Sequence, residues 1–379
     1  MHVSNTVPFL DFYDKIGFAP TRQGGSPSAA HQAHREFLYR SLGVPNLSFR
    51  GRDVIEFGAG SGENSDRLLG LAPSSYTFVD GSEAVLSGLK ARNSSSFAQD
   101  TSLHFALSTI SGYEDDRRYD FVVCEGVLPL QYEPGEMARK VLGFAKVGGI
   151  AVLTCFDSVS GFSEIARRFI ARSIFGELVY SAELVDRLSA FFAPDFAALA
   201  GMSRRPEDWV ADSILNPWVG DFFSLQDALE VAKPDFGLLG TSPRIVQDWR
   251  WYKDPTVLDE IGTLDAAIGM YKQNLHSLLD SRFLCAEVLP RANDALLEAT
   301  NSIAVRVRDL ISGGIPYEVE EFGADVQRLI AHTQSTHPQT IVSLSALARW
   351  SLTGLSQDLE PFRALWGRGQ QYVSLVRLA

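Results

Sequence analysis

The residues best suited to chemistry lie between positions 54 and 64, Val-Ile-Glu-Phe-Gly-Ala-Gly-Ser-Gly-Glu-Asn. A short apolar run carries the acid Glu56, and a glycine-rich turn follows at once. Glycine lacks a Cβ, so Gly58, Gly60 and Gly62 can adopt positive φ and let a ligand approach the main chain. The free N–H groups of a following helix would point at that turn. A second acid, Asp80, ends the apolar run Tyr76 to Val79, where its carboxylate can accept hydrogen bonds from ribose hydroxyls. The pairing predicts a nucleoside-bearing ligand across the ends of two parallel strands. A glycine at the sixth place of a dinucleotide fingerprint is missing, because the run continues Glu63-Asn64-Ser65. Glu56 adds negative charge close to the turn, which disfavours a pyrophosphate and suits a cofactor with a cationic centre.

With those residues in place, the chain resembles the class I S-adenosylmethionine-dependent methyltransferases. An apolar strand, an acid and G-x-G-x-G match Glu56 to Gly62; an acid ending strand two matches Asp80 with Gly81 and Ser82. Tyr119-Asp120-Phe121-Val122-Val123-Cys124-Glu125-Gly126 matches the family's strand-four motif, and Lys146-Val147-Gly148-Gly149 leads into strand five. The resemblance covers residues 51 to 157. It implies S-adenosylmethionine as cofactor, with Glu56, Gly58, Ala59, Gly60, Gly62, Asp80, Gly81, Ser82, Glu125 and Gly126 around it. Ser108 and Thr109 stand where family members often carry an acid that contacts adenine, so that contact would pass through a hydroxyl or the main chain.

Methyl transfer from a sulfonium is an in-line displacement in which alignment and exclusion of water do most of the work. An oxygen or nitrogen nucleophile can also require a base. His31 and His34 lie three apart and share a helix face. Asp157 ends strand five and faces the pocket by topology; each of the three is a candidate base. Each also has a plain structural reading, as exposed polar positions for the histidines and as a helix cap for Asp157. His104 and His276 read as structural. Gln131 and Tyr132 follow strand four, and Trp209, Asn216 and Trp218 suit a small polar ligand.

The elements that must hold these residues follow from periodicity. Strands are expected near 53–57, 75–79, 102–107, 119–124 and 149–156, separated by helices, which predicts right-handed crossovers and a parallel sheet. The expected fold is α/β: a seven-stranded, mostly parallel Rossmann-like methyltransferase sheet with a helical cap insertion and a helical C-terminal extension. Residues 1–50 form an arm and lid helix, and residues 51–157 the cofactor-binding core. Residues 158–222 form a cap above the strand ends, with a peripheral or dimerisation element as the bland alternative. Residues 223–254 complete the core with a helix and two closing strands at Phe236 to Gly240 and Arg244 to Tyr252. Residues 255–379 are helical by period, ending in a tail, Trp366 to Tyr372, dense in groups that can bind a ligand.

Composition narrows the partners. The chain has 379 residues and a net charge of −12. That charge argues against a nucleic-acid footprint, which needs clustered cations; the pairs Arg167-Arg168 and Arg204-Arg205 read as solvated helix faces. No apolar stretch of about 18 residues predicts a membrane span. The N-terminal residues lack the pattern of a signal peptide, and three cysteines at 124, 155 and 285 without metal-binding spacing fit a reduced, cytoplasmic enzyme. No metal site is expected. The expected partner is a small-molecule substrate such as a sugar, natural-product intermediate or amino acid, with neither nucleic acid nor membrane, and the chain could form a homodimer. Two alternatives stand beside methyl transfer: a catalytically idle S-adenosylmethionine-binding protein whose C-terminal helices recruit a partner, and a nicotinamide-dependent oxidoreductase.

Overall fold

The computed structural model describes residues 8–17, 19–22, 29–93, 101–199, 201–202 and 204–378. The expected loop at the end of the arm falls largely outside them.

The chain opens with α1 (Pro8–Ile16) and α2 (Ala29–Ser41), then enters the sheet through β1 (Asp53–Phe57). Alternation follows: α3 (Ser65–Leu69), β2 (Ser75–Asp80), α4 (Glu83–Asn93), β3 (Ser102–Leu107), β4 (Tyr119–Cys124), α5 (Pro134–Leu142) and β5 (Ala145–Cys155). The cap consists of α6 (Phe162–Phe175), α7 (Ala182–Phe191), α8 (Ala193–Ala198) and α9 (Pro206–Trp209), the last continuing as a wider turn over Val210–Leu215. Next come α10 (Leu225–Ala232) and β6 (Phe236–Ser242). Ser224 starts α10 with a reciprocal capping box to Asp227. The helices α11 (Glu260–Asn274), α12 (Asp294–Ile311), α13 (Val319–Ile330), α14 (Pro338–Thr353) and α15 (Glu360–Arg363) precede a final strand, β7 (Gln371–Arg377).

The sheet has seven strands in the order β3-β2-β1-β4-β5-β7-β6. Strands β1 to β5 are parallel, whereas β7 runs antiparallel to both its neighbours. The expected mostly parallel seven-stranded sheet is therefore present. The central strands are apolar on both sides because both faces are covered. Phe49, Val54, Tyr76, Phe78, Leu86 and Val123 fill one face, under α2 and α4. On the other face Ile55, Phe57, Val122 and Leu153 join a core that continues into α12, α13 and α14 through Val307, Phe322 and Leu347.

One strand was misplaced in the sequence. Arg244 to Tyr252, expected as a closing strand, joins no strand among the described residues, and Trp249, Trp251 and Tyr252 are exposed. Its slot is taken by β7, from Ile150↔Val376 to Cys155↔Gln371 on one side and Phe236↔Arg377 to Ser242↔Tyr372 on the other. The helices from α11 to α15 thus sit between two adjacent strands of the sheet. Phe283 to Asn293, expected as the start of a helix, is irregular apart from one short turn at Pro290–Ala292.

Candidate cofactor and substrate cavity

The glycine turn leaves β1 with positive φ at all three glycines: +72° at Gly58, +55° at Gly60 and +79° at Gly62. Space forbids side chains there as well. A Cβ on Gly58 would lie 2.3 Å from Val127 Cγ2, and one on Gly62 2.6 Å from Leu89 Cδ2. Gly58 N–H donates to Val79 O (2.9 Å), which ties the turn to β2. The arm closes over it, because Ser61 N–H donates to Thr21 Oγ1 (3.1 Å).

Gly58, Ala59, Gly60 and Ser61 line a cavity of about 650 Å³ above the strand ends. Asp80 and Gly81 at the end of β2 line it too, as do Ser108 and Thr109 after β3 and Glu125 and Gly126 after β4. Asp80 Oδ1 accepts from Ser82 N–H (2.9 Å). Burial, with Asp14 nearby, pushes the Asp80 carboxyl up to about 6. Ser108 N–H donates to Asp80 O (2.9 Å), so the ends of β2 and β3 are held level. Glu125 is engaged by Arg35 (2.7 Å) and by Tyr39 O–H (2.7 Å), both from α2. The expected line of turn, acid and hydroxyls is thus assembled on one wall.

Three residues expected around the cofactor stand back from the cavity. Glu56 is buried, and its Oε2 accepts from Ser65 O–H and Tyr76 O–H, each at 2.6 Å. Removed from solvent, its carboxyl is pushed up to about 7. It braces the turn and α3 against β2, and its charge does not face a ligand directly. Gly62 packs on Leu89. Ser82 is fully buried, donates to Asp14 and accepts from Val85 N–H at the start of α4.

The candidate bases divide. His31 and His34 both line the cavity from α2, on the shared face that their spacing predicts. His31 is hydrogen-bonded to Asn64 of the glycine turn, and burial beside Arg35 and His34 pushes its imidazole down. Asp157 is buried and does not line the cavity. Its Oδ1 accepts from Val159 N–H (2.9 Å) and Ser160 N–H (2.8 Å), and its Oδ2 from Tyr271 O–H (3.0 Å). Those three donors make it the anchor of the turn into α6, and the base reading is corrected.

Of the expected substrate residues, Gln131, Trp209, Asn216 and Trp218 line the cavity. Tyr132 does not: Gln131 forms a bridge with Asp221, and the next side chain, alternating in direction, is 55% exposed. The tail contributes Gln370 and Tyr372.

Several cavity residues were missed in the sequence. Arg167 and Arg168, read as a solvated pair, are both buried, and of the two it is Arg168 that lines the cavity. Arg168 donates to the carbonyls of Asn216 (3.0 Å), Asp212 (3.4 Å) and Ser213, fixing the end of the Val210–Leu215 turn. Arg204 pairs with Asp212 (2.7 Å), which also accepts from Tyr13 O–H (3.1 Å) and the Asn216 amide (3.3 Å). Glu164, on the first turn of α6, lines the cavity half-buried. One signal was available, for Glu164: an acid on the first turn of the helix that follows strand five.

No protein-family description matches the chain, and no curated protein matches it. Among solved structures it is similar to PKMT2 from Rickettsia typhi in complex with AdoHcy, at 15% identity over 67% of this chain and 51% of that one, TM-score 0.42. It is also similar to magnesium protoporphyrin IX methyltransferase from Synechocystis with bound SAM, at 19% identity over 40% of this chain and 65% of that one, TM-score 0.28. A third is the N-methyltransferase NodS from Bradyrhizobium japonicum with S-adenosyl-L-homocysteine, at 15% identity over 35% of this chain and 64% of that one, TM-score 0.29. The chain spans about half to two-thirds of the length of these three. The overlaps are partial and the scores low, so the functional reading rests on the geometry of the site.

Proposed function

We propose that the protein is an S-adenosylmethionine-dependent methyltransferase acting on a nitrogen or oxygen of a small polar metabolite. One observation carries this reading. The positive-φ glycine turn after β1, the Asp80 carboxylate after β2 and the Ser108–Thr109 hydroxyls after β3 lie side by side on one cavity wall. A nucleoside laid across strand ends takes the turn and the acid, and the third strand end lies beside them. The site fits it: the Asp80 carboxyl lines the cavity, held in place by the backbone N–H groups of Gly81 and Ser82, and a side chain at Gly58 would meet Val127. When bound, the cofactor would supply a methyl group on a cationic sulfur.

This chain's residues then have distinct tasks. Asp80 holds the ribose, and the turn admits the nucleoside to close main-chain contact. Arg35 and Tyr39 fix Glu125 at the end of β4. The arm and the cap exclude water, which strengthens electrostatic interactions inside. Trp209, Trp218, Asn216 and Gln131 form the acceptor half, where no described helix is long and apolar enough to belong to a membrane span. The test is incubation with methyl-labelled S-adenosylmethionine and a small-molecule extract. Label should pass to a low-molecular-weight product, and S-adenosylhomocysteine should accumulate. Binding without any turnover across extracts would favour the idle binding protein.

A further inference from the structure

The acceptor half of the cavity contains a carboxyl group, that of Glu164, which takes no hydrogen bond among the described residues. Arg35 is taken by Glu125, Arg168 by three carbonyls and Arg204 by Asp212. Asp212 in turn accepts from Tyr13, Asn216 and Arg204. The Glu164 carboxyl makes no hydrogen bond or ion pair among the described residues, although it lines the cavity. The groups acting on it are Arg167 and Arg168 of its own helix, and Arg204 and Asp212 of the cap. Burial outweighs the three guanidinium groups and raises its proton affinity above that of an ordinary glutamate. A carboxyl that lines a cavity without a protein donor is open to one brought by a ligand.

Its place and surroundings narrow the ligand. A methyl group added at Gly369 would lie 4.0 Å from Glu164 Oε1, and one at Gly126 would lie 3.7 Å from Gln370 Nε2. Two consecutive residues therefore link Glu164 to the end of β4, at the junction of the cofactor wall and the cap. Phe156, Trp209 and Trp218 also line the cavity, and aromatic faces favour cations. Each of the three arginines lining the cavity holds a carboxylate or carbonyl partner, although Arg35 Nε is left without one, so an anionic acceptor would compete with protein groups for them.

We propose that Glu164 binds the acceptor as an ammonium and takes its proton, making the protein an N-methyltransferase of a small aliphatic amine. This rests on the cofactor reading above. The ammonium form hydrogen-bonds to the carboxylate and passes one proton to it. The freed nitrogen lone pair forms the N–C bond while the C–S bond breaks, its electron pair staying on sulfur. A methylated ammonium, a neutral thioether and a protonated Glu164 result, and the carboxyl then returns its proton to water.

Calorimetry on the full chain with two probes tests this without turnover. The probes are S-adenosylhomocysteine and sinefungin, the analogue with a C–NH3+ group where the sulfonium methyl would be. The wild type should bind sinefungin at least about tenfold more tightly, as expected for a charge-assisted hydrogen bond inside the cavity. Glu164→Gln should lose that preference while binding S-adenosylhomocysteine within about twofold of wild type, and Glu164→Asp should restore part of it. A wild type without the preference, or a preference that survives Glu164→Gln, would overturn the assignment of Glu164. If S-adenosylhomocysteine itself does not bind to the wild type, the cofactor reading has failed, and the proposal with it. Retained S-adenosylhomocysteine binding in the variants shows that they fold.

Discussion

Two carboxylates near the glycine turn perform different physical work. Asp80 meets the cavity, and Glu56 is sealed behind it. Asp80→Ala should weaken S-adenosylhomocysteine at least about tenfold, about 1.4 kcal/mol, typical of hydrogen bonds to a charged group. Because burial raises the Asp80 carboxyl to about 6, wild-type affinity should fall as the pH drops through that value, and calorimetry across the range checks it. For Glu56 the readout is stability. Its native carboxyl is raised from 4.5 to about 7, so between those values the folded state binds more protons than the unfolded state. Stability from this group is therefore complete below the lower value and is lost as pH rises through the window, on the order of 3 kcal/mol. Urea denaturation should show that slope in the wild type and a flatter profile in Glu56→Gln. The sequence placed both acids correctly along the strands. It could not separate them, because the hydroxyls of Ser65 and Tyr76 reach Glu56 only through α3 and β2 packing.

At the scale of elements, the cavity is shut by pieces remote in sequence. The arm is tied to the cap by Arg22, whose guanidinium spans both oxygens of Asp208, at 3.0 and 2.7 Å. Tyr13 reaches Asp212, and Thr21 reaches Ser61 of the turn. Arg22→Ala should speed release of bound S-adenosylhomocysteine several-fold, with less effect on its association, as stopped-flow fluorescence would show. The cap is tied to the segment before β7 by Arg167. It pairs with Asp195 (2.9 Å), donates to the carbonyls of Ser163, Arg363 and Leu365, and stacks 3.7 Å from the Trp366 ring. Arg167→Ala should lower unfolding stability by about 3 to 5 kcal/mol, because it breaks a buried, fully hydrogen-bonded ion network. None of this closure was legible in the sequence. Helical period identified α6 and α7, and short apolar runs between helical segments identified β1 to β6. An isolated Arg-Arg pair carries no sign of what it will meet. Strand β7 follows so long a run of helices that its alternation was absorbed into them, while Arg244 to Tyr252, nearer to β6, imitated a closing strand.

For the molecule as a whole, the chain makes one continuous core from a sheet and a helical bundle inserted between β6 and β7. Gln370 and Tyr372, at the far end of that insertion, face the same cavity as Gly58 and Asp80. The sheet's two halves were unequally legible. The cofactor wall is built from contiguous motifs, each close to its strand end. The acceptor half collects single residues from the arm, cap and tail, so no spacing rule joins them. The central claim is that the wall after β1, β2 and β3 holds an adenosyl cofactor. Titrating the wild type and Asp80→Ala in parallel with S-adenosylhomocysteine and with NAD tests it most directly. The wild type should show saturable one-to-one binding of S-adenosylhomocysteine, weakened at least about tenfold by the substitution, and no measurable heat with NAD. Binding of NAD in place of S-adenosylhomocysteine, or an affinity that Asp80→Ala leaves unchanged, would contradict it.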